Sequence, residues 1–260
     1  MTAGFLQLTI NGEQDSYLTG NPQISFFKSV FKRYSKFSIQ TLLQDINGTP
    51  NFGSSINCLL NKSGDLLKNV YLEITLPDLI KPNNLSWYGY VNNIGCSIID
   101  RIILRINDQI VDTIYGDWID VYNNINSVDV DKNVLQYNSD FMIRNDNSIP
   151  LEKRKIYLNI PFFFSKASSV ALPIVALSQS DVTIDITFKN LSEVIKVSNY
   201  EFKDNVNVKS DSKFECNLWA EYIYLDSSEK QFFSTKKIEY LIEQTQFNGN
   251  EVLNKNDLKK

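Results

Sequence analysis

The chain has 260 residues, 16 Phe and 13 Tyr, a net charge of −4 and no histidine. That length suits one large β domain or two small ones and is enough to bury a core. Without histidine there is no Ser-His-Asp or Cys-His catalysis and no imidazole metal site, and the acidic balance leaves no general footprint for nucleic acid.

In chain order, Met1-Thr2-Ala3-Gly4 lacks the basic and apolar regions of a signal peptide, and Thr2 breaks the myristoylation pattern. No later apolar run reaches the length of a membrane span. Tyr17-Leu18-Thr19-Gly20 reads as a turn. Asn21 then suits a helix cap and Pro22 the first helical position. Ile24, Phe27, Phe31 and Tyr34 follow on one helical stripe with Val30 beside it, while Lys28, Lys32, Arg33 and Lys36 lie off it. Such a stripe needs burial, under its own domain or against a partner. Its cations are too few for a nucleic-acid site and read equally as a solvated face.

Beyond this helix, strands dominate. Leu72, Ile74 and Leu76 alternate with polar residues, as do Val182, Ile184, Ile186 and Phe188, and then Phe214, Cys216, Leu218, Ala220 and Tyr222. Period two with one apolar face marks a half-buried strand. Ile98 to Ile106 is a strand with less distinct faces, Ile102, Leu104 and Ile106 opposing Arg101, Ile103 and Arg105. Short helices are expected over Trp118 to Ile125 and Asp226 to Thr235, the second capped by Asp226 or Ser227. Asn123 to Pro150 and Tyr200 to Ser212 read as polar loops, and Asn248 to Lys260 as an unstructured end. The pattern predicts an all-β sandwich of two sheets, and periodicity alone leaves a jelly roll and other sandwiches open.

Sites of chemistry are sparse. Cys58, Cys96 and Cys216 are odd in number and unpatterned in spacing, so they read as buried thiols in a reducing compartment. The acidic pairs Asp117 with Asp120 and Glu239 with Glu243 qualify for acid–base work only if a pocket brings them together. Asn47, Asn61, Asn84 and Asn190 open glycosylation sequons, read as chance matches in an Asn-rich chain. Trp87, Tyr88 and Tyr90 are placed to stack on sugar rings or to fill a sandwich end. No phosphate loop or dinucleotide fingerprint is present, and no cofactor or metal is expected.

Several segments share an order with one family. Tyr17-Leu18-Thr19-Gly20-Asn21-Pro22-Gln23-Ile24 with Phe26-Phe27-Lys28 resembles the N-terminal signature of the major capsid proteins of nucleocytoplasmic large DNA viruses. Asn47-Gly48 with Phe52-Gly53, Gly64-Asp65-Leu66 and Asp117-Trp118 resemble later landmarks of that family. So do Ile160-Pro161-Phe162-Phe163-Phe164-Ser165, Ala171-Leu172-Pro173-Ile174-Val175-Ala176-Leu177, Trp219 to Asp226 and Glu239 to Gln244.

The resemblance implies an eight-stranded jelly-roll sandwich with an N-terminal amphipathic helix and short loop helices. It divides the chain into an arm (1–37), the roll (38–226) and a linker (227–260) toward an absent second roll, since the family carries two rolls in tandem. A fragment, a split gene and a single-roll paralogue all fit such an ending. The implied function is structural and not enzymatic: a building block of an icosahedral shell, major or minor, made in host cytoplasm and carried in the virion. Its implied partners are copies of itself, other capsid proteins and an inner viral membrane, with no nucleic acid or small-molecule substrate. Phe26, Phe27, Lys28, Phe31, Lys32 and Arg33 are the implied interface. The reading from a different class is a carbohydrate-binding jelly roll used in attachment.

Overall fold

The computed structural model describes residues 3–10, 12–22, 25–27, 34–80, 85–126 and 155–249. The chain forms two compact units, Met1–Ser35 and Lys36–Lys260.

In the first unit, helix α1 spans Ala3–Thr9 and α2 spans Glu13–Thr19. Neither was expected from the sequence. Glu13 and Asp15 stand in the first turn of α2, where carboxylates meet the positive end of the peptide dipoles. Tyr17-Leu18-Thr19 therefore closes a helix and is not a turn. The chain leaves α2 at Gly20, where a Cβ would press on the Ser16 carbonyl oxygen at 2.5 Å. Most of the helix expected after Pro22 lies outside the described residues. Within them, Phe26 and Phe27 sit in a turn, and the Phe27 N–H donates to Ser25 Oγ at 3.3 Å.

The second unit is a two-sheet sandwich. Its strands are β1 (Phe37–Gln44), β2 (Ile46–Asn47), β3 (Ser55–Leu59), β4 (Leu66–Thr75), β5 (Leu79–Ile80), β6 (Tyr88–Tyr90), β7 (Ile99–Ile106), β8 (Gln109–Tyr115), β9 (Lys155–Asn159), β10 (Val182–Phe188), β11 (Ile195–Val197), β12 (Asn207–Val208) and β13 (Glu215–Leu225). Helices α3 (Ile94–Ser97), α4 (Gly116–Asn126) and α5 (Ser227–Thr235) lie between or after them. Asp226 caps α5, accepting the Ser227 N–H at 2.8 Å, as the sequence led us to expect.

The first sheet runs β1-β13-β4-β9 and the second β2-β3-β10-β7-β8, with antiparallel pairing throughout. The chain crosses between sheets after β1, β3, β4, β8, β9 and β10, which is the strand order of a jelly roll. The expected eight strands are all present. Short β2 extends the second sheet, and the ladders β6–β11 and β5–β12 are additional.

Alternation explains the core. Val182, Ile184, Ile186 and Phe188 of β10 face inward with Ile102 and Leu104 of β7, opposite Val70, Leu72 and Ile74 of β4 and Leu218, Ala220 and Tyr222 of β13, all buried. One end is closed by Phe162, Phe163 and Phe164, whose rings pack 5.4 Å apart in successive pairs. Leu172 joins this end through two backbone bonds with Leu67, at 2.8 and 2.9 Å. All three cysteines are free and buried, and burial pushes each thiol up to about 12.

Candidate assembly surfaces

Phe26 and Phe27 are fully exposed, at 102% and 98%, and Tyr34 is exposed at 84%. Lys28, Phe31, Lys32 and Arg33, like Ile24 and Val30, lie outside the described residues. The structure thus places two of the six expected interface residues, and both present bare aromatic rings.

The outward faces of the two sheets differ in chemistry. On the first sheet, register aligns Leu43 of β1, Trp219 of β13 and Tyr71 of β4 in one row, with Tyr157 of β9 in the row beside it. Phe37, Ile39, Leu43 and Tyr157 are exposed. Within this face Glu73 is buried, and it accepts Lys155 Nζ at 2.6 Å and Trp219 Nε1 at 2.8 Å. Burial alone would raise its carboxyl, but Lys155 and the hydrogen bonds outweigh it and hold the group below its ordinary value. The second sheet's face is polar and bonded to itself. Arg105 Nε meets Asp185 Oδ2 at 2.7 Å, Asn57 donates to the same carboxylate, and Ser55 Oγ donates to Thr187 Oγ1 at 3.2 Å. An apolar, aromatic face beside a self-satisfied polar one marks the first sheet as the better surface for burial against a neighbour. The motif Trp219 to Asp226 pointed to this region, but the alternation of β1 and β9 is masked by the Leu42-Leu43 doublet and by the shortness of β9.

After α5 the chain runs extended along the second sheet's open edge. Tyr240 donates to the Ala171 carbonyl at 3.2 Å, and Glu243 pairs with Lys166 at 2.8 Å. Gln244 donates to the Val111 carbonyl on β8, and Phe247 packs on Tyr115 with ring centroids 4.8 Å apart. This strap covers a strand edge that would otherwise be open.

The acidic pairs do not converge. Asp117 pairs with Lys189 at 3.3 Å while Asp120 accepts Asn93 Nδ2 at 2.9 Å. Glu239 pairs with Lys237 at 2.6 Å, apart from the Glu243–Lys166 contact. The aromatics considered for sugar stacking fill the sandwich end instead. Tyr88 and Tyr90 are buried, their hydroxyls donating to the Leu79 and Pro77 carbonyls at 3.3 and 2.7 Å, and Trp87 is half-buried. Asn190 of one sequon is engaged in a capping box with Glu193.

Comparison with known proteins agrees with this architecture. Residues 25–226 match the family model described as major capsid protein N-terminus. The chain is 32% identical to capsid protein 1 of Acanthamoeba polyphaga mimivirus, over 96% of this chain and 44% of that protein. It is 31% identical to the major capsid protein of Paramecium bursaria Chlorella virus 1, over 96% of this chain and 54% of that protein. Among solved structures, the quasi-atomic model of the PBCV-1 virus capsid superposes with a TM-score of 0.70 at 27% identity, covering 88% of this chain and 52% of that one. The Faustovirus major capsid protein, 9% identical with a TM-score of 0.52, shares the fold. The chain spans about half the length of the curated relatives it matches. With the family model covering most of its length and the jelly-roll strand order in both sheets, the chain belongs to the major capsid protein family, as a representative of its N-terminal region.

Proposed function

We propose that this chain is a structural subunit of the shell of a large icosahedral DNA virus, made in host cytoplasm and carried in the virion. The observation that carries the reading is the match of residues 25–226 to the capsid family on a roll whose core is complete. The roll of residues 38–226 acts as a rigid block, residues 1–37 as an arm and residues 227–260 as a linker. Copies of the chain and other capsid proteins are its partners. The outer face of the first sheet, with Leu43, Tyr71, Tyr157 and Trp219, supplies burial against a neighbouring roll. Phe26, Phe27 and Phe31, flanked by Lys28, Lys32 and Arg33, supply a second contact at the base of the shell, toward a neighbour or an inner membrane.

Particles purified from infected cells test this reading. The chain is expected in the capsid fraction, and electron microscopy of the isolated protein with its capsid partners is expected to show closed capsomers. A monomer excluded from particles overturns it.

A further inference from the structure

Strand β1 is an edge without the usual safeguards. Among the described residues it pairs only with β13, along its whole length from Phe37 to Gln44. Alternate residues of an edge strand turn their N–H and C=O groups away from the sheet. Natural edges are commonly blunted by charge, proline, a bulge or a covering segment. The β8 edge has such a cover in the strap. Phe37-Ser38-Ile39-Gln40-Thr41-Leu42-Leu43-Gln44 contains no charged residue and no proline, and its register with β13 has no shift. Most of it is exposed on both faces.

The strand is also preorganised. Buried Gln44 fixes its end, accepting the Asn61 N–H at 2.8 Å and the Tyr222 hydroxyl at 3.3 Å.

Charges flank the strand with opposite sign. Lys36 precedes it and Asp45 follows it, both exposed and neither in an ion pair among the described residues. Antiparallel pairing of two β1 strands brings Lys36 of each copy near Asp45 of the other at both ends. Parallel pairing would set Lys36 beside Lys36. Side chains alternate with period two, so only registers that keep outward residues opposite outward residues preserve the faces. With Gln40 opposite Gln40, Phe37 meets Leu43 and Ile39 meets Thr41, and the apolar outer faces of the two copies become continuous.

We propose that two copies of this chain join edge to edge through β1, antiparallel about Gln40, merging their first sheets. The inference rests on the shell-forming reading and deepens it, because it names the partner and the contact. The strand's chemistry favours a like strand over a charged peptide or a membrane, since its edge offers backbone groups and apolar side chains but no charge between its ends.

The test uses the full chain. Sedimentation velocity is expected to show a concentration-dependent dimer. Gln40→Lys sets two ammonium groups face to face and is expected to weaken self-association about tenfold or more, a shift of about 1.4 kcal/mol or more. Its melting temperature should be unchanged, because Gln40 is exposed. Gln40→Cys is expected to form a disulfide-linked dimer on mild oxidation. Directly opposed residues lie about 4.5–5.5 Å apart at Cα, within the ~4.4–6.8 Å that a disulfide spans. Ser38→Cys, opposite Leu42 in this register, is expected not to cross-link.

A wild-type chain that stays monomeric, equal cross-linking at both positions, or Gln40→Lys associating as well as wild type overturns the edge contact. In the last case, incorporation into capsomers with capsid partners would leave the shell reading standing. Loss of that incorporation in the wild type would remove the shell reading itself.

Discussion

Trp219 donates its indole N–H to the carboxylate of Glu73 at 2.8 Å, across neighbouring strands of the first sheet's outer face. This bond and Lys155 keep a buried carboxylate ionised in the middle of an aromatic surface.

Replacing Glu73 by Leu is expected to destabilise the roll by about 1–3 kcal/mol, because the indole N–H loses its acceptor. The Glu73 carboxyl lies below its ordinary value in the folded state, so its contribution is complete above the unfolded-state value and is lost as pH falls through the folded one. Chemical denaturation of wild type and variant should differ most near neutrality and converge in acid, below the ordinary carboxylate range.

Asp112 should behave in the opposite sense. It is buried on the inward side of β8, and burial raises its carboxyl despite the Thr113 N–H and the Lys166 charge. Its folded-state value exceeds the unfolded one, so the ionised group lowers stability at neutral pH and the penalty disappears as pH falls through the folded value. Asp112→Asn, which can still accept the Thr113 N–H, is expected to raise the melting temperature at pH 7 and to leave it unchanged in acid.

Gly64 packs against Tyr222, where a Cβ would meet the tyrosine Cβ at 2.5 Å. Tyr222 cannot retreat, since its hydroxyl is tied to the Asn61 carbonyl and Gln44. Gly64→Ala is expected to cost about 1–3 kcal/mol as overpacking, read as a lower denaturant midpoint with an unchanged slope.

The aromatics of the arm should matter to association and not to the roll. Phe26 and Phe27 are exposed, so replacing both by Ser is expected to leave the melting temperature in place. Each ring is expected to lose about 1.5–3 kcal/mol of burial on assembly, seen as failed capsomer formation in native mass spectrometry.

The strap should open without the roll. Phe247→Ala removes the Tyr115 contact and is expected to speed amide exchange over residues 240–247, while β7, β8 and β10 keep their protection.

The sandwich was legible wherever one face is buried. The inward residues of β4, β10 and β13 alternate with polar ones, so period two shows in the sequence. It failed for β1, whose two faces are both largely exposed and so carry no strong contrast. It also failed for α1 and α2, which lack a buried stripe to set a helical period. The jelly-roll order itself was legible only through the family resemblance, because strand pairing such as β1 with β13 joins residues far apart in sequence and leaves no local trace. The outer face around Glu73 was hidden for a related reason. Its members come from three strands, and only the register assembles them.

The last strand of the roll does not sit at a margin. β13 lies between β1 and β4, and it supplies partners to both. During synthesis the first sheet therefore holds an empty central slot until residue 225 has emerged from the ribosome. A chain stopped short leaves β1 without its neighbour and the core open on one side. Completion of the polypeptide and closure of the sandwich are one event, so half-made subunits are directed to aggregation or degradation before they reach a growing shell.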